Sequence, residues 1–261
     1  MRSKKGDVMK PVCLVFGAGR GIGATVGRRF AQEGYHAVLC RRTDQEGLDE
    51  AIGEIEADGN SASGFLLNAI EENSIEEPVA AVEADIGPIE VALFNLGAQI
   101  GDRHLQDTSY KAFEMGWRMA TFALFRFAQA VCPRMEARGK GTLLVTSATA
   151  AFRGNAGQHS HAAAMGGRRM LCQSLNAEFS PKGIHIAHIL IDGSVAAPDT
   201  LGRMLGPEKY QEMLDTRGKA DGMMLPEKIA ESYVHLAQQH RSTWTFEMDL
   251  RSFSDRPWWN H

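Results

Sequence analysis

Apolar residues along the chain gather in short runs separated by longer amphipathic stretches, and this alternation predicts an architecture before any single residue is weighed. Val12-Cys-Leu-Val-Phe16 is a continuous apolar run of the kind buried on both faces in a parallel sheet. From Ile22 to Glu33 the spacing becomes helical and stops at Gly34, a residue suited to a helix C-terminus; a second apolar run, His36-Ala-Val-Leu-Cys40, follows at once. The rhythm then repeats, with a polar helix over 44–58 and Gly59 behind it, a strand over 63–67, a helix over 74–85 and a strand over 91–96. A long helix over 110–137, a strand over 142–147, a helix over 160–178 and a strand over 185–191 continue it. Helices of this length forbid hairpins, so the strands lie parallel with right-handed crossovers. The predicted fold class is α/β, one doubly wound parallel sheet of about seven strands with helices on both faces.

Residues 194–225 break the rhythm. They carry several glycines, two prolines and no strand pattern, and read either as a mobile segment over a ligand cleft or as a long surface loop. Pro226 opens a helix reaching about Gln239, and 243–249 reads as a last strand. The expected map is a frayed polar tail over 1–10, one domain over 11–250 and a C-terminal tail over 251–261. That tail contains Arg256-Pro-Trp-Trp-Asn260, apolar for a terminus: it packs across a subunit boundary, closes the cleft of its own chain, or is a chance apolar end.

With 261 residues, 44% of them apolar, the chain can bury a sizeable core in one domain. A net charge of −4 and scattered Lys and Arg give no reason to expect nucleic acid. No stretch approaches the ~20 apolar residues of a membrane span, and Met1-Arg-Ser-Lys-Lys-Gly6 lacks the apolar core of a secretory signal, so a cytoplasmic protein without a membrane partner is expected. Cys13, Cys40, Cys132 and Cys172 lack CxxC spacing and read as reduced core residues, with neither disulfide nor zinc site.

Between the first strand and helix lies Gly17-Ala-Gly19-Arg20-Gly21-Ile22-Gly23, where missing side chains let a backbone approach a pyrophosphate at a helix N-terminus. The spacing is GxxxGxG rather than GxGxxG. This turn resembles the TGxxxGIG turn of the short-chain dehydrogenase/reductase family, with Phe16 in place of the usual threonine. Asn95-Leu-Gly97-Ala98 matches the family's NNAG-like motif in position, Ser180-Pro-Lys-Gly-Ile184-His-Ile186 resembles its approach to the sixth strand, and Asp192-Gly193 replaces its Pro-Gly. The resemblance spans almost the whole chain. It implies a Rossmann-like domain, a nicotinamide dinucleotide, a small-molecule substrate and a homodimer or homotetramer in which the helices starting near 110 and 160 form the contacts. An acidic residue at the end of the second strand would bind the adenine ribose of NAD(H), but Cys40 stands there and Arg41-Arg42 follow, which suits a 2′-phosphate. Arg20 adds a third cation where similar family members prefer NADP(H). NADP(H) is therefore expected ahead of NAD(H), the alternative being that Arg41 and Arg42 are solvated loop charges. Asn68 stands where the family often has an adenine-contacting aspartate.

The family's reduction chemistry uses a tyrosine acid, a lysine four residues later, a serine orienting the carbonyl and a supporting asparagine. Alignment puts His161 at the tyrosine position, Met165 at the lysine position, Ala148 at the serine position and Ala120 at the asparagine position. A one-residue shift would promote Ser147 or Thr149. Histidine is a sensible substitute acid because its pKa lies near neutrality, although a hydrogen-bonded structural histidine fits the same position; His159 is the runner-up. No metal site is expected: His159 and His161 diverge on a helix, and His185 and His188 point to opposite faces of a strand. Arg168 and Arg169 are expected to face solvent or a neighbouring subunit. Two functions compete. One is an NADP(H)-dependent oxidoreductase acting on a carbonyl or alcohol with His161 as proton donor and Ser147 or Thr149 holding the carbonyl. The other is a non-redox NADP(H)-binding protein, isomerase or dehydratase on the same fold.

Overall fold

The structure, a computed structural model, describes residues 9–97 and 104–260. Most of the expected N-terminal tail, residues 1–8, and the last motif position, Ala98, lie outside the described residues. The strands are β1 (Val12–Phe16), β2 (His36–Arg41), β3 (Ser61–Leu66), β4 (Ile89–Phe94), β5 (Gly141–Ala148), β6 (Ile184–Asp192) and β7 (Glu247–Arg251). All pair in parallel in one sheet, in the order β3-β2-β1-β4-β5-β6-β7. The helices α1 (Ile22–Gln32), α2 (Gln45–Ala57), α3 (Glu76–Asp85), α4 (Tyr110–Trp117), α5 (Ala123–Arg138) and α6 (His159–Phe179) make the crossovers as far as β6.

Alternation along β1 divides the core in two. Val12, Leu14 and Phe16 pack with α3, α5 and α6 on one face, while Cys13 and Val15 pack with α1 and α2 on the other. A strand feeding two cores must be apolar at every position, which is why β1 reads as an uninterrupted run. The strand order reverses between β1 and β4, and their connections leave towards opposite ends of the sheet, opening a crevice at the carboxyl ends of these two strands.

Three expectations need correction. The helix expected over 110–137 is α4 and α5 joined by a π-helical turn, Arg118–Phe122, which adds a residue to the turn and shifts the face each half presents. Residues 194–225 are largely helical: a π turn at Pro198–Gly202, a single α-turn α7 (Arg203–Leu205), helix α8 (Pro207–Thr216) and a 3₁₀ turn at Gly218–Ala220 precede α9 (Pro226–Gln238). None of the four pieces before α9 has a buried residue, so no apolar period marks them in the sequence. The last strand starts at Glu247, not 243. Gln239 bonds both the Thr245 backbone N–H and the Thr245 hydroxyl at 2.8 Å, which holds the chain just before β7 to the end of the preceding helix.

The C-terminal tail folds onto its own chain. The Trp258 backbone N–H donates to Asp192 (3.0 Å), its indole N–H donates to Asp249 (3.2 Å), and its carbonyl accepts from Arg153 (2.9 Å). It straps the ends of β6 and β7 without lining the crevice. All four cysteines are free and buried, and among the described residues no helix is long and apolar enough to cross a membrane.

Candidate active site

The crevice holds a cleft of about 850 Å³, within the range of cofactor and substrate sites. Its lining includes every cofactor-binding candidate except Gly23: Gly17, Gly19, Arg20, Gly21, Ile22, Arg41, Arg42, Asn68, Asn95 and Gly97. Of the catalytic candidates it brings in His161 and Ser147, whereas Thr149 and His159 are not among the lining residues.

The glycine turn is held by backbone crowding. Gly17 adopts φ +92°, and a Cβ there would lie 2.7 Å from the carbonyl oxygen of Asn95, so a side chain is excluded on two counts. Gly23 lies under the turn rather than on its surface: a Cβ there would collide with the Gly17 carbonyl, so this glycine lets α1 begin hard against β1. The Asn95 amide donates to that same carbonyl at 2.9 Å, and its backbone N–H donates to Phe16 at 2.8 Å. Asn95 thus braces the turn. Asn68 donates to Glu71 at 2.8 Å, leaving its carbonyl oxygen available to a ligand.

The arginine cluster differs from a set of solvated charges. Arg41 is buried, its side chain only 7% exposed, and its Nη2 donates to Asp199 (2.8 Å) and lies 2.8 Å from Asp44. Arg20 donates to Asp199 through its backbone N–H (2.8 Å) and through Nε (3.2 Å). Burial alone would raise the Asp199 carboxyl, but the two Arg20 bonds and the charges of Arg20 and Arg41 outweigh it and hold the group below its ordinary range. Arg42 is exposed at the rim. An anion is therefore bound already at the place where the sequence indicates a phosphate, and it belongs to the chain itself.

Beyond β5 the cleft is walled by Ser147, Ala148, His161 and Met165. Ala120, Ala148 and Met165, three of the four positions matched to the family's catalytic set, join Ala150 and Ala164 in one small apolar cluster. The Ser147 hydroxyl faces the Met165 sulfur at 4.0 Å, a weak acceptor. No tyrosine or lysine lines the cleft among the described residues.

Beneath this wall lies a residue that sequence reasoning misplaced. Arg168 is buried, not solvent-facing: it donates to the carbonyls of Ala120 (3.2 Å), Thr146 (2.6 Å) and Leu96 (2.8 Å) and stacks over Phe94. Burial pushes its pKa down to about 10, so it stays cationic at neutral pH. One guanidinium thereby ties the π turn to the ends of β4 and β5. The signal was present, since 161, 165 and 168 fall on one helical face. Arg169 pairs with Glu247 (2.7 Å) and covers the Phe152 ring. Asp199 was missed because its segment carries no apolar period. His185 and His188 do diverge: the first donates to the Thr245 carbonyl, while the second is fully buried with Nδ1 3.1 Å from Glu247.

A doubly wound sheet with a glycine-rich turn at its topological switch point defines a nucleotide-binding α/β protein. Residues 11–197 match the model of the short chain dehydrogenase family. The chain is 31% identical over 231 residues to the short-chain reductase protein NovJ of Streptomyces niveus, covering 87% of each. It superposes on a short-chain dehydrogenase from Rhodopseudomonas palustris with TM-score 0.77 and 32% identity, covering 93% of this chain and 99% of the other. An actinorhodin polyketide ketoreductase variant, solved with NADPH, shares the fold with TM-score 0.82 at 22% identity, over 93% of this chain and 96% of that one. The chain belongs to the short-chain dehydrogenase/reductase family.

Proposed function

We propose that this protein is an NADP(H)-dependent oxidoreductase that interconverts a carbonyl and an alcohol on a small molecule, with His161 in the role usually taken by tyrosine. One observation carries the reading: a single cleft joins an arginine pair that binds an anion to a histidine beside a serine. Arg41 ends β2 and His161 lies beyond β5, three strands away in the sheet. At ~4.8 Å per strand that is roughly 14 Å, a span suited to an extended dinucleotide. Gly17, Gly19 and Gly21 line the cleft without side chains, so the backbone of the turn can approach a pyrophosphate, and Arg20 and Arg41 supply charge-assisted donors for a 2′-phosphate. When bound, the nicotinamide supplies or accepts the hydride.

The chain's own groups do the rest. His161 exchanges a proton with the substrate oxygen, which an imidazole can do near neutral pH without a cationic neighbour. The Ser147 hydroxyl turns from the Met165 sulfur to the carbonyl oxygen, a better acceptor. Ala148, Ala120 and Met165 keep that corner dry. Carbonyl reduction should be followed as NADPH consumption over a panel of aldehydes and ketones. His161→Gln should then lower kcat by roughly a hundredfold or more, and unchanged turnover would remove His161 from the mechanism. The apolar cluster at three of the four matched positions favours a second reading, a non-redox NADP(H) binder, isomerase or dehydratase. Transfer of deuteride from labelled NADPH to any carbonyl on the panel eliminates that alternative.

Assembly is part of the same proposal. Tyr110, Phe113, Trp117, Phe122 and Phe125 are exposed along α4, the π turn and α5, with Trp117, Phe122 and Phe125 stacked in series. An apolar strip of this kind suits a second copy of the chain, in a homodimer or homotetramer.

A further inference from the structure

Asp199 occupies the donor set that a phosphate would use. One of its oxygens accepts from the Arg20 backbone N–H and from Arg41 Nη2, and the other accepts from Arg20 Nε. The carboxylate is 8% exposed, and Ala197, two residues earlier, is buried against the glycine turn, where a Cβ on Gly21 would approach it to 2.8 Å. Residues 197–199 therefore lie on the turn itself. On either side the segment is anchored: the Met224 N–H donates to Ser194 and the Ala196 N–H to Met224, while Arg217 pairs with Asp255. Between these anchors Pro198–Gly202, Arg203–Leu205 and Pro207–Thr216 place no whole residue in the core, so apart from Ala197 and the enclosed Asp199 side chain few packing contacts oppose displacement. The contact also leaves Arg41 Nη1 buried without a hydrogen-bond partner among the described residues, so the carboxylate does not saturate the guanidinium.

We infer that Asp199 is an internal stand-in for the 2′-phosphate: it latches the 197–216 segment over the cleft until that phosphate displaces it, and so helps set the discrimination between NADP(H) and NAD(H). The inference rests on the NADP(H) reading above. A carboxylate offers one negative charge and two oxygens. A phosphate monoester offers nearly two charges and three terminal oxygens, so it competes successfully for Arg20 and Arg41. The 2′-hydroxyl of NAD(H) has no charge to offer and cannot release the latch by that route. Opening is thus coupled to the one group that distinguishes the two cofactors, and the cost of breaking the latch is subtracted from NADP(H) affinity.

Calorimetric titration of the full chain with NADPH, NADH and adenosine 2′,5′-bisphosphate, at one fixed ionic strength, tests this in wild type, Asp199→Asn, Asp199→Ala and Arg41→Ala. Both Asp199 variants should bind NADPH and the bisphosphate more tightly, by roughly tenfold if the free site is open about a tenth of the time, with NADH little changed. In wild type the bisphosphate should accelerate tryptic cleavage after Arg203, and in the Asp199 variants cleavage should be fast without it. Unchanged or weakened NADPH binding in both Asp199 variants overturns the latch. If Arg41→Ala still selectively weakens NADPH in that case, the NADP(H) reading stands and only the latch falls. Wild type and Arg41→Ala that each bind NADPH and NADH equally would overturn both.

Discussion

Buried charge is where single residues depart most from what their neighbours in sequence suggest. Arg168 and Arg169 are adjacent on α6, yet one crosses the core to three carbonyls while the other pairs with Glu247 at the edge of the same helix. Their side chains point about 100° apart, and only the packing of the π turn against α6 decides which direction is inside. His188 shows the consequence of burial for titration. Removal from water pushes its pKa from 6.5 down to about 4, against the opposing pull of Glu247. Below pH 6.5 the unfolded chain takes up a proton that the folded chain refuses, so stability falls as pH drops from about 6.5 towards 4. At about 1.4 kcal/mol per pH unit, wild type should lose about 2 kcal/mol more than His188→Gln between pH 7 and pH 5. Urea unfolding at the two pH values measures the difference, and parallel losses would falsify this account of His188.

At the scale of elements, sequence reading succeeds where a helix or strand buries a regular face. The helix from Ile22 and the helix over 160–178 were legible because their buried positions repeat at the helical period, and the run 12–16 because every one of its positions is buried. α8 was not, since it buries nothing, and the π turn was not, since one extra residue leaves the flanking apolar spacing nearly intact. Glycines inside helices separate packing from propensity. Gly23→Ala should collide with the Gly17 carbonyl and cost about 2 kcal/mol, lowering Tm by roughly 6 °C. Gly53, on α2, has nothing within 4 Å of a built Cβ, so Gly53→Ala should instead stabilise by about 0.5–1 kcal/mol. Thermal unfolding of the two variants reads both signs, and a shift in the same direction for both would contradict the close approach of α1 to β1.

For the molecule as a whole, the sheet order places the carboxyl ends of β1 and β4 at a crevice, and seven parallel strands leave one face of α4 and α5 apolar and uncovered. Trp117→Glu combined with Phe125→Glu should shift the mass measured by light scattering from an oligomer to a monomer, while the far-UV circular dichroism is retained. An oligomeric mass that does not change would move the subunit contact elsewhere. The sequence by itself determined the strand and helix rhythm and the glycine turn, because each is set by local backbone geometry or by short-range periodicity, while His161 was singled out only through the family resemblance. Only the tertiary structure decided that Asp199 lies between Arg20 and Arg41, at sequence separations of 179 and 158 residues. It also decided that Arg168 points inward and that Thr149 and His159 stand outside the cleft. Such contacts join residues far apart in the chain through the packing of whole elements, and no local period encodes which charge will meet which.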